Sequence, residues 1–187
     1  MTGLGLYIGM GFRHITAIGA LDHLLFLVAL VAPYRLNDWR QLVAVATAFT
    51  VGHSITLALA ITNVVRLPTP LIEFLIPLTI VAAAVGNLRQ ASAPRFGLQR
   101  AVLAGAFGLI HGAGFANFLR SMFLGPVALP LVSFNIGIEL GQLVIIVASL
   151  LLFRVADSVV AVRRRAILAS VIVGAWAVTM AAQRVPW

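Results

Sequence analysis

Long apolar runs dominate the chain, and short polar or proline-containing segments separate them. Six of these runs are long enough to cross a membrane, because a spanning helix needs about 20 predominantly apolar residues. They lie near residues 12–32, 41–63, 71–88, 101–119, 127–153 and 166–183. The pattern predicts an all-α polytopic membrane protein, a bundle of about six transmembrane helices. We expect residues 1–187 to form a single transmembrane domain.

The composition excludes an ordinary soluble domain. Hydrophobic residues make up 61% of the chain and charged residues only 10%, whereas soluble proteins have roughly 25% charged residues. The absence of cysteine excludes disulfides and thiolate metal sites. The net charge of +8 comes from arginines spread between apolar runs, without the basic patch of a nucleic-acid-binding protein. The expected partner is therefore the lipid bilayer, and we expect no binding of nucleic acid.

The positions of the arginines predict the orientation in the membrane. Nine arginines follow the first, third and fifth spans, and four lie on the opposite side. Since arginine-rich loops stay in the cytoplasm, both termini are expected outside it. The larger group is Arg35, Arg40, Arg89, Arg95, Arg100, Arg154 and Arg163 to Arg165, and the smaller is Arg13, Arg66, Arg120 and Arg184.

Ionisable side chains inside the spans are the strongest indication of function. All four histidines and three of the five acidic residues fall within predicted spans, where each charged group costs about 2.5–3.5 kcal/mol. Nitrogen and oxygen ligands of these types suit a divalent transition-metal ion such as Ni²⁺, Co²⁺ or Zn²⁺. The candidate metal ligands are Asp22, His23, His53, His111 and Glu139, near the middle of their spans, and His14, nearer the outer face. The candidate supporting residues are Ser54, Asn135, Gln142 and Glu73.

Neighbouring positions refine this hypothesis. Asp22 and His23 lie about 100° apart on a helix, so one is expected to ligate and the other to contact a ligand on another span. Small-residue spacing predicts two faces for close helix packing, at Gly108 with Gly112 and at Gly137 with Gly141. Hydroxyl groups are expected to bond to carbonyls of their own helices, at Thr16, Thr50, Ser54 and Thr56. The phenylalanines are expected either to pack in the interior or to face lipid.

The segments around these residues resemble the HupE/UreJ family along nearly the whole chain. They run from Gly11 to Ile15 and from Asp22 to Leu27, then from Phe49 to Leu57, Glu73 with Asn87 and Leu88, Phe107 to Ala116 and Phe134 to Gln142. The resemblance implies a nickel or cobalt permease of a bacterial inner membrane. It also implies an association with metallocentre-maturation proteins of hydrogenase or urease.

Two departures from the family pattern concern the site. The family places its first histidine seven residues before the second, whereas His14 and His23 are nine apart, about 180° around a helix. Either the helix breaks at Gly19 and restores their alignment, or His14 does not join the site. In addition, Gly86 occupies the position where the family has a glutamate before the asparagine.

The residue types leave other functions open. A permease with a mid-membrane His/Asp/Glu site is the leading hypothesis, and the chain is then not an enzyme. The alternative is an intramembrane zinc-dependent hydrolase, in which Zn²⁺ would lower the pKa of a bound water to about 7. A haem protein would use histidine pairs but would leave the carboxylates without a role. An accessory membrane protein without catalytic activity is the remaining reading, and the oligomeric state does not follow from the sequence.

Overall fold

The computed structural model describes residues 3–66, 68–89, 98–122 and 127–186, without the side chains of 116–118 and 120–122. Within these residues the chain is helical and has no strand. Seven α-helices and a short 3₁₀ turn at Leu36–Asp38 are described. The helices are α1 (Gly3–Thr16), α2 (Leu21–Val31), α3 (Trp39–Ile61), α4 (Thr69–Arg89), α5 (Leu98–Met122), α6 (Ala128–Ala156) and α7 (Val162–Gln183). Arg95 and the side chain of Arg120, both used to predict the orientation, lie outside the described part.

The helices confirm the prediction of a polytopic membrane bundle. Among the described residues, α4, α6, α7 and α3 with its preceding turn are long and apolar enough to cross a membrane. A fifth span results if the bent pair of α1 and α2 counts as one. The remaining predicted span, 101–119, corresponds to α5, which has 25 residues. The connections between the helices that the structure describes are short, as the sequence pattern predicts.

The first predicted span differs most from the expectation. Instead of one helix over 12–32, α1 begins at Gly3 and ends at Thr16, and α2 starts at Leu21 with its axis turned by 70°. Non-helical backbone at Ala17 to Ala20 separates them. The break contains Gly19, which is exposed and makes no close approach that requires a glycine. The nine-residue spacing of the two histidines is thus accommodated by a break in the helix.

Two helix pairs approach closely at the predicted glycine positions. On α5, a Cβ at Gly108 would collide with the backbone carbonyl of Phe49, and one at Gly112 with that of His53. On α6, a Cβ at Gly137 would collide with the carbonyl of Ile8 on α1. Both small-residue faces are confirmed, and the backbones of α3 and α1 occupy the space that side chains would otherwise fill.

The buried side chain of Arg165 on α7 joins several elements of the bundle. Arg165, only 5% exposed, donates hydrogen bonds to the carbonyls of Ala32 at 2.8 Å and Tyr34 at 3.0 Å. It also pairs with Asp157 at 2.7 Å. The guanidinium of Arg165, one of the arginines used to predict the orientation, therefore satisfies carbonyls at the end of α2. Arg163 and Arg164 are exposed.

Candidate metal site

Three imidazoles from three helices converge inside the bundle. His14 lies in the last turn of α1, His23 in the first turn of α2, and His53 in the middle of α3. One ligand nitrogen from each can be chosen so that all three lie within 4.8 Å of one another. The ring centroids of His14 and His23 are 4.7 Å apart, and those of His14 and His53 are 6.0 Å apart. The break between α1 and α2 brings His14 to this position, so the structure supports the first of the two alternatives for that residue.

Each of these imidazoles has at least one ring nitrogen without a protein partner among the described residues. His14 Nε2, His23 Nε2 and both ring nitrogens of His53 are buried and have no hydrogen-bond partner among the described residues. Buried polar atoms in native proteins are nearly always satisfied, and each exception needs an explanation. Three such groups facing one another are what a site for a cation requires, since a neutral imidazole offers a lone pair on one nitrogen.

The carboxylate of Asp22 contacts the ring of His23 itself. Oδ1 lies 3.2 Å from Nδ1 of His23 and accepts a bond from its backbone N–H at 3.0 Å. The expectation that one of the two residues would serve a ligand on another span is wrong. Asp22 lies in the first turn of α2, where backbone N–H groups are free, so its side chain turns toward them and reaches the neighbouring ring. Oδ2 lies 3.7 Å from Nη1 of Arg184.

The fourth histidine lies beside this group. The ring of His111 on α5 is 5.1 Å from that of His23, centroid to centroid, and is 1% exposed. Its Nε2 lies 2.9 Å from the hydroxyl oxygen of Thr79 on α4, whereas its Nδ1 is buried without a partner. His111 is therefore adjacent to the three imidazoles but does not share their closest grouping.

The predicted residues of α6 form a separate polar group. The hydroxyls of Thr47 and Thr50 each donate to the Glu139 carboxylate at 2.6 Å. Thr50 also lies 3.2 Å from Oε1 of the fully buried Gln142. Glu139 is therefore not in the closest group of ligand atoms. Asn135 bonds to its own helix at Leu131.

The hydroxyl predictions have mixed outcomes. Thr16 and Ser54 donate to carbonyls four residues earlier, at Phe12 and Thr50, as expected, so the hydroxyl proton of Ser54 is used within α3. The Thr50 hydroxyl lies 3.2 Å from the Ala46 carbonyl of its own helix, as expected, but its shorter contact, at 2.6 Å, is with Glu139 on another helix.

A cavity reaches His14, His23 and His111 from one surface of the described structure. We call it the vestibule; its volume is about 420 Å³. It opens at Arg13, Gly19 and Glu73, which are exposed. Its polar lining is Arg13, His14, Asp22, His23, Glu73, His111 and Arg184. Arg13 and Arg184 come from the group of arginines predicted to lie on the outer side.

Aromatic rings close the opposite side of the site. Phe26 and Phe49 stack with centroids 4.8 Å apart, and each lies close to His111, at 5.4 and 5.1 Å. Beyond Phe26 and Phe107 is a second, mostly apolar cavity of about 100 Å³ that reaches Asn87 and Arg100. These phenylalanines pack in the interior, which is one of the two positions expected for them, the other being contact with lipid.

Sequence reasoning missed Thr79 and Arg184 as neighbours of the site. Thr79 is a single hydroxyl in an apolar helix, and hydroxyls there usually serve their own carbonyls. Arg184 belongs to the last residues of the chain, 162 positions after Asp22. Only the proline at position 77, which removes a backbone donor from α4, marks the region of Thr79 as unusual.

Comparison with known proteins agrees with the resemblance noted above. A family model described as HupE / UreJ protein matches residues 1–184, essentially the whole chain. The comparisons with curated proteins and with solved structures find no match. Since the family match extends from the start of α1 through the arginine that pairs with Asp22, it includes every residue of the imidazole group and the vestibule. The chain belongs to the HupE/UreJ family.

Proposed function

We propose that the protein is a permease for a divalent transition-metal ion, with nickel as the first candidate substrate and cobalt as the second. The family is known for nickel and cobalt accessory or transport proteins. The observation that carries the proposal is the convergence of His14, His23 and His53 with unpartnered buried nitrogens. The ion is the cargo in this account, and no catalytic residue is assigned.

The spacing of the three nitrogens suits transient binding. Nitrogens bound to one ion at 2.0–2.1 Å lie about 3.3 Å apart in a tetrahedral site. The ligand atoms here lie within 4.8 Å of one another, so small side-chain rotations are needed to close the site around an ion. A transport site must bind strongly enough to admit the ion and weakly enough to release it. An open set of three imidazoles on separate helices fits that requirement.

The surroundings supply charge compensation and access. Asp22 accepts a hydrogen bond from Nδ1 of His23, which leaves Nε2 as the ligand atom, a pairing common at metal-binding histidines. The vestibule reaches His14 and His23 from the surface at which the exposed Glu73 lies, and we propose that this is the outer surface. We propose that ions enter by this route and that Phe26, Phe49 and Phe107 close the path to the cytoplasmic side.

Nickel uptake by vesicles containing the purified protein tests the proposal. We expect uptake to require the protein and to fall at least tenfold with His14→Ala, His23→Ala or His53→Ala. Thr179→Ala serves as the control, because Thr179 is exposed on α7 and its hydroxyl bonds to Trp176 of its own helix. Uptake at the wild-type rate in all three histidine variants would rule out the site.

The same material separates the permease from the intramembrane hydrolase. A hydrolase would keep its zinc through dialysis, whereas a transport site should release its ion. The hydroxyl of Ser54 already bonds to the Thr50 carbonyl at 2.6 Å and is not free to act as a nucleophile without a change of rotamer. Zinc retained in equimolar amount after dialysis would favour the hydrolase.

A further inference from the structure

The hydroxyl of Thr79 on α4 contacts an imidazole beside the proposed site. Its oxygen lies 2.7 Å from the carbonyl oxygen of Ile76 and 2.9 Å from Nε2 of His111. Thr79 is 4% exposed and His111 is 1% exposed. Both contacts are therefore shielded from water. Each must contain a hydrogen-bonding proton that comes from Thr79 or His111.

Counting protons fixes the direction of both bonds. A hydroxyl has one proton, and two oxygens 2.7 Å apart repel unless a proton lies between them. The Thr79 proton must therefore point at the Ile76 carbonyl, because a carbonyl oxygen has no proton to donate. The hydroxyl oxygen is then left as an acceptor, so Nε2 of His111 must carry the proton that joins them.

We propose that Thr79 is a positioning residue that holds neutral His111 in the tautomer protonated on Nε2, so that Nδ1 is its metal-binding atom. A neutral imidazole has a proton on only one nitrogen. Nδ1 of His111 is buried and has no partner among the described residues, so its lone pair is free. This inference rests on the proposed function only in naming a metal ion as the ligand.

The position of His111 gives this lone pair a use. Its ring is 5.1 Å from His23 and 5.4 Å from Phe26, and Phe26 also lines the second cavity. His111 lines the vestibule together with His14 and His23. An ion that enters the vestibule therefore meets His111 beside His23, where a free Nδ1 would add a ligand next to the three imidazoles.

The opposite nitrogen is used at His23. There Asp22 holds Nδ1 and leaves Nε2 free, whereas Thr79 holds Nε2 of His111 and leaves Nδ1 free. Two adjacent histidines therefore present different nitrogens because different helices supply their hydrogen-bond partners. Thr79 on α4 and Asp22 on α2 each fix the tautomer of the histidine that they contact.

Nitrogen NMR of the full-length protein in lipid nanodiscs tests the tautomer directly. With ¹⁵N-labelled histidine at about pH 8, where a free imidazole is neutral, protonated and unprotonated ring nitrogens resonate far apart. The His111 signals are identified by their loss in His111→Gln. We expect Nε2 to be protonated and Nδ1 unprotonated in the wild type. Protonated Nδ1 in the wild type would overturn the proposal without any variant.

Variants at position 79 test the role of the hydroxyl. Thr79→Val keeps the shape and removes the acceptor, so a second tautomer should appear and nickel affinity should fall about 10–100-fold, the usual cost of losing such a partner. Thr79→Ser keeps the hydroxyl and should restore both the spectrum and the affinity. An unchanged His111 spectrum in Thr79→Val would contradict the proposal.

The outcome is separable from that of the proposed function. If the wild type binds no nickel, the proposed function fails, while the NMR spectrum of the metal-free protein still decides the tautomer. If the wild type binds nickel but Thr79→Val and Thr79→Ser bind it equally well, the permease stands and the positioning role of Thr79 is refuted.

Discussion

At the scale of single residues, carboxylates at similar predicted depth have different surroundings. Asp22 contacts the Nδ1 atom of His23 and lies within reach of Arg184. Glu139 accepts hydrogen bonds from Thr47 and Thr50 instead. Depth in the membrane, which the sequence indicates, does not determine which helix face a side chain occupies in the bundle. The two residues therefore form a natural pair of test and control.

We predict that Asp22→Asn weakens nickel binding about 10–100-fold, because the neutral amide no longer offsets the charge of the ion and its oxygen is a weaker acceptor for the Nδ1 proton of His23. Glu139→Gln should leave the affinity unchanged, since an amide oxygen can still accept from a threonine. Titration of nickel into the purified proteins by calorimetry measures both. Equal losses in the two variants would mean that Glu139 belongs to the site after all.

At the scale of helices, close backbone contact places the ligands. The carbonyl of His53 on α3 lies against Gly112 of α5, one residue after His111. The same contact therefore sets the distance between α3 and α5 and the positions of two imidazoles. The ligand geometry depends on this glycine although it has no side chain to contribute.

Gly112→Ala should destabilise the protein by about 1–3 kcal/mol, as overpacking of an interior contact does, because the added Cβ collides with the backbone of His53. It should also weaken nickel binding by moving α3. Gly86→Ala is the control, since a Cβ there meets nothing within 4 Å. Thermal unfolding in detergent reports the stability, and an unchanged Tm for Gly112→Ala would argue against the contact.

Much of the element-scale arrangement follows from the sequence. Apolar runs predict the helices, and the glycine spacings predict the faces at Gly108 and Gly137. The nine-residue spacing of His14 and His23 indicates a break or an excluded histidine, but it does not choose between them. That choice depends on how α1 packs against α6, a long-range contact without a local signal. The bonds of Thr79, Arg165 and Arg184 depend on distant partners in the same way.

At the scale of the whole molecule, the structure has two unlike ends. Arg13, Glu73 and Arg184 surround the open vestibule, whereas Arg100 lies at the second cavity behind the phenylalanines. This division matches the two groups of arginines in the sequence. Arg165 joins α7 to the end of α2.

Replacing Arg165 should cost far more stability than replacing its neighbour. Arg165→Ala leaves Asp157 and the carbonyls of Ala32 and Tyr34 without their donor. We expect a loss of about 3 kcal/mol, at the low end for a broken buried pair, because Asp157 remains 22% exposed. Arg164→Ala should have little effect, since Arg164 is exposed. Unfolding curves that coincide for the two variants would contradict the assignment.

The absence of native cysteine makes the two ends directly accessible to experiment. A cysteine at Ala20 lies in the vestibule and one at Ala83 lies in the second cavity. With a membrane-impermeant thiol reagent, we expect Ala20→Cys to react from outside the cell. Ala83→Cys should not react from that side. Modification of both from the same side would refute the proposed arrangement of the path.

The most direct test of the central claim is X-ray absorption at the nickel edge of the nickel-loaded protein. We expect imidazole scattering from three ligands in the wild type. One imidazole should be lost in each of His14→Ala, His23→Ala and His53→Ala, while Glu139→Gln should keep all three. A spectrum without imidazole scattering, or one that the three histidine substitutions leave unchanged, would show that the ion binds elsewhere.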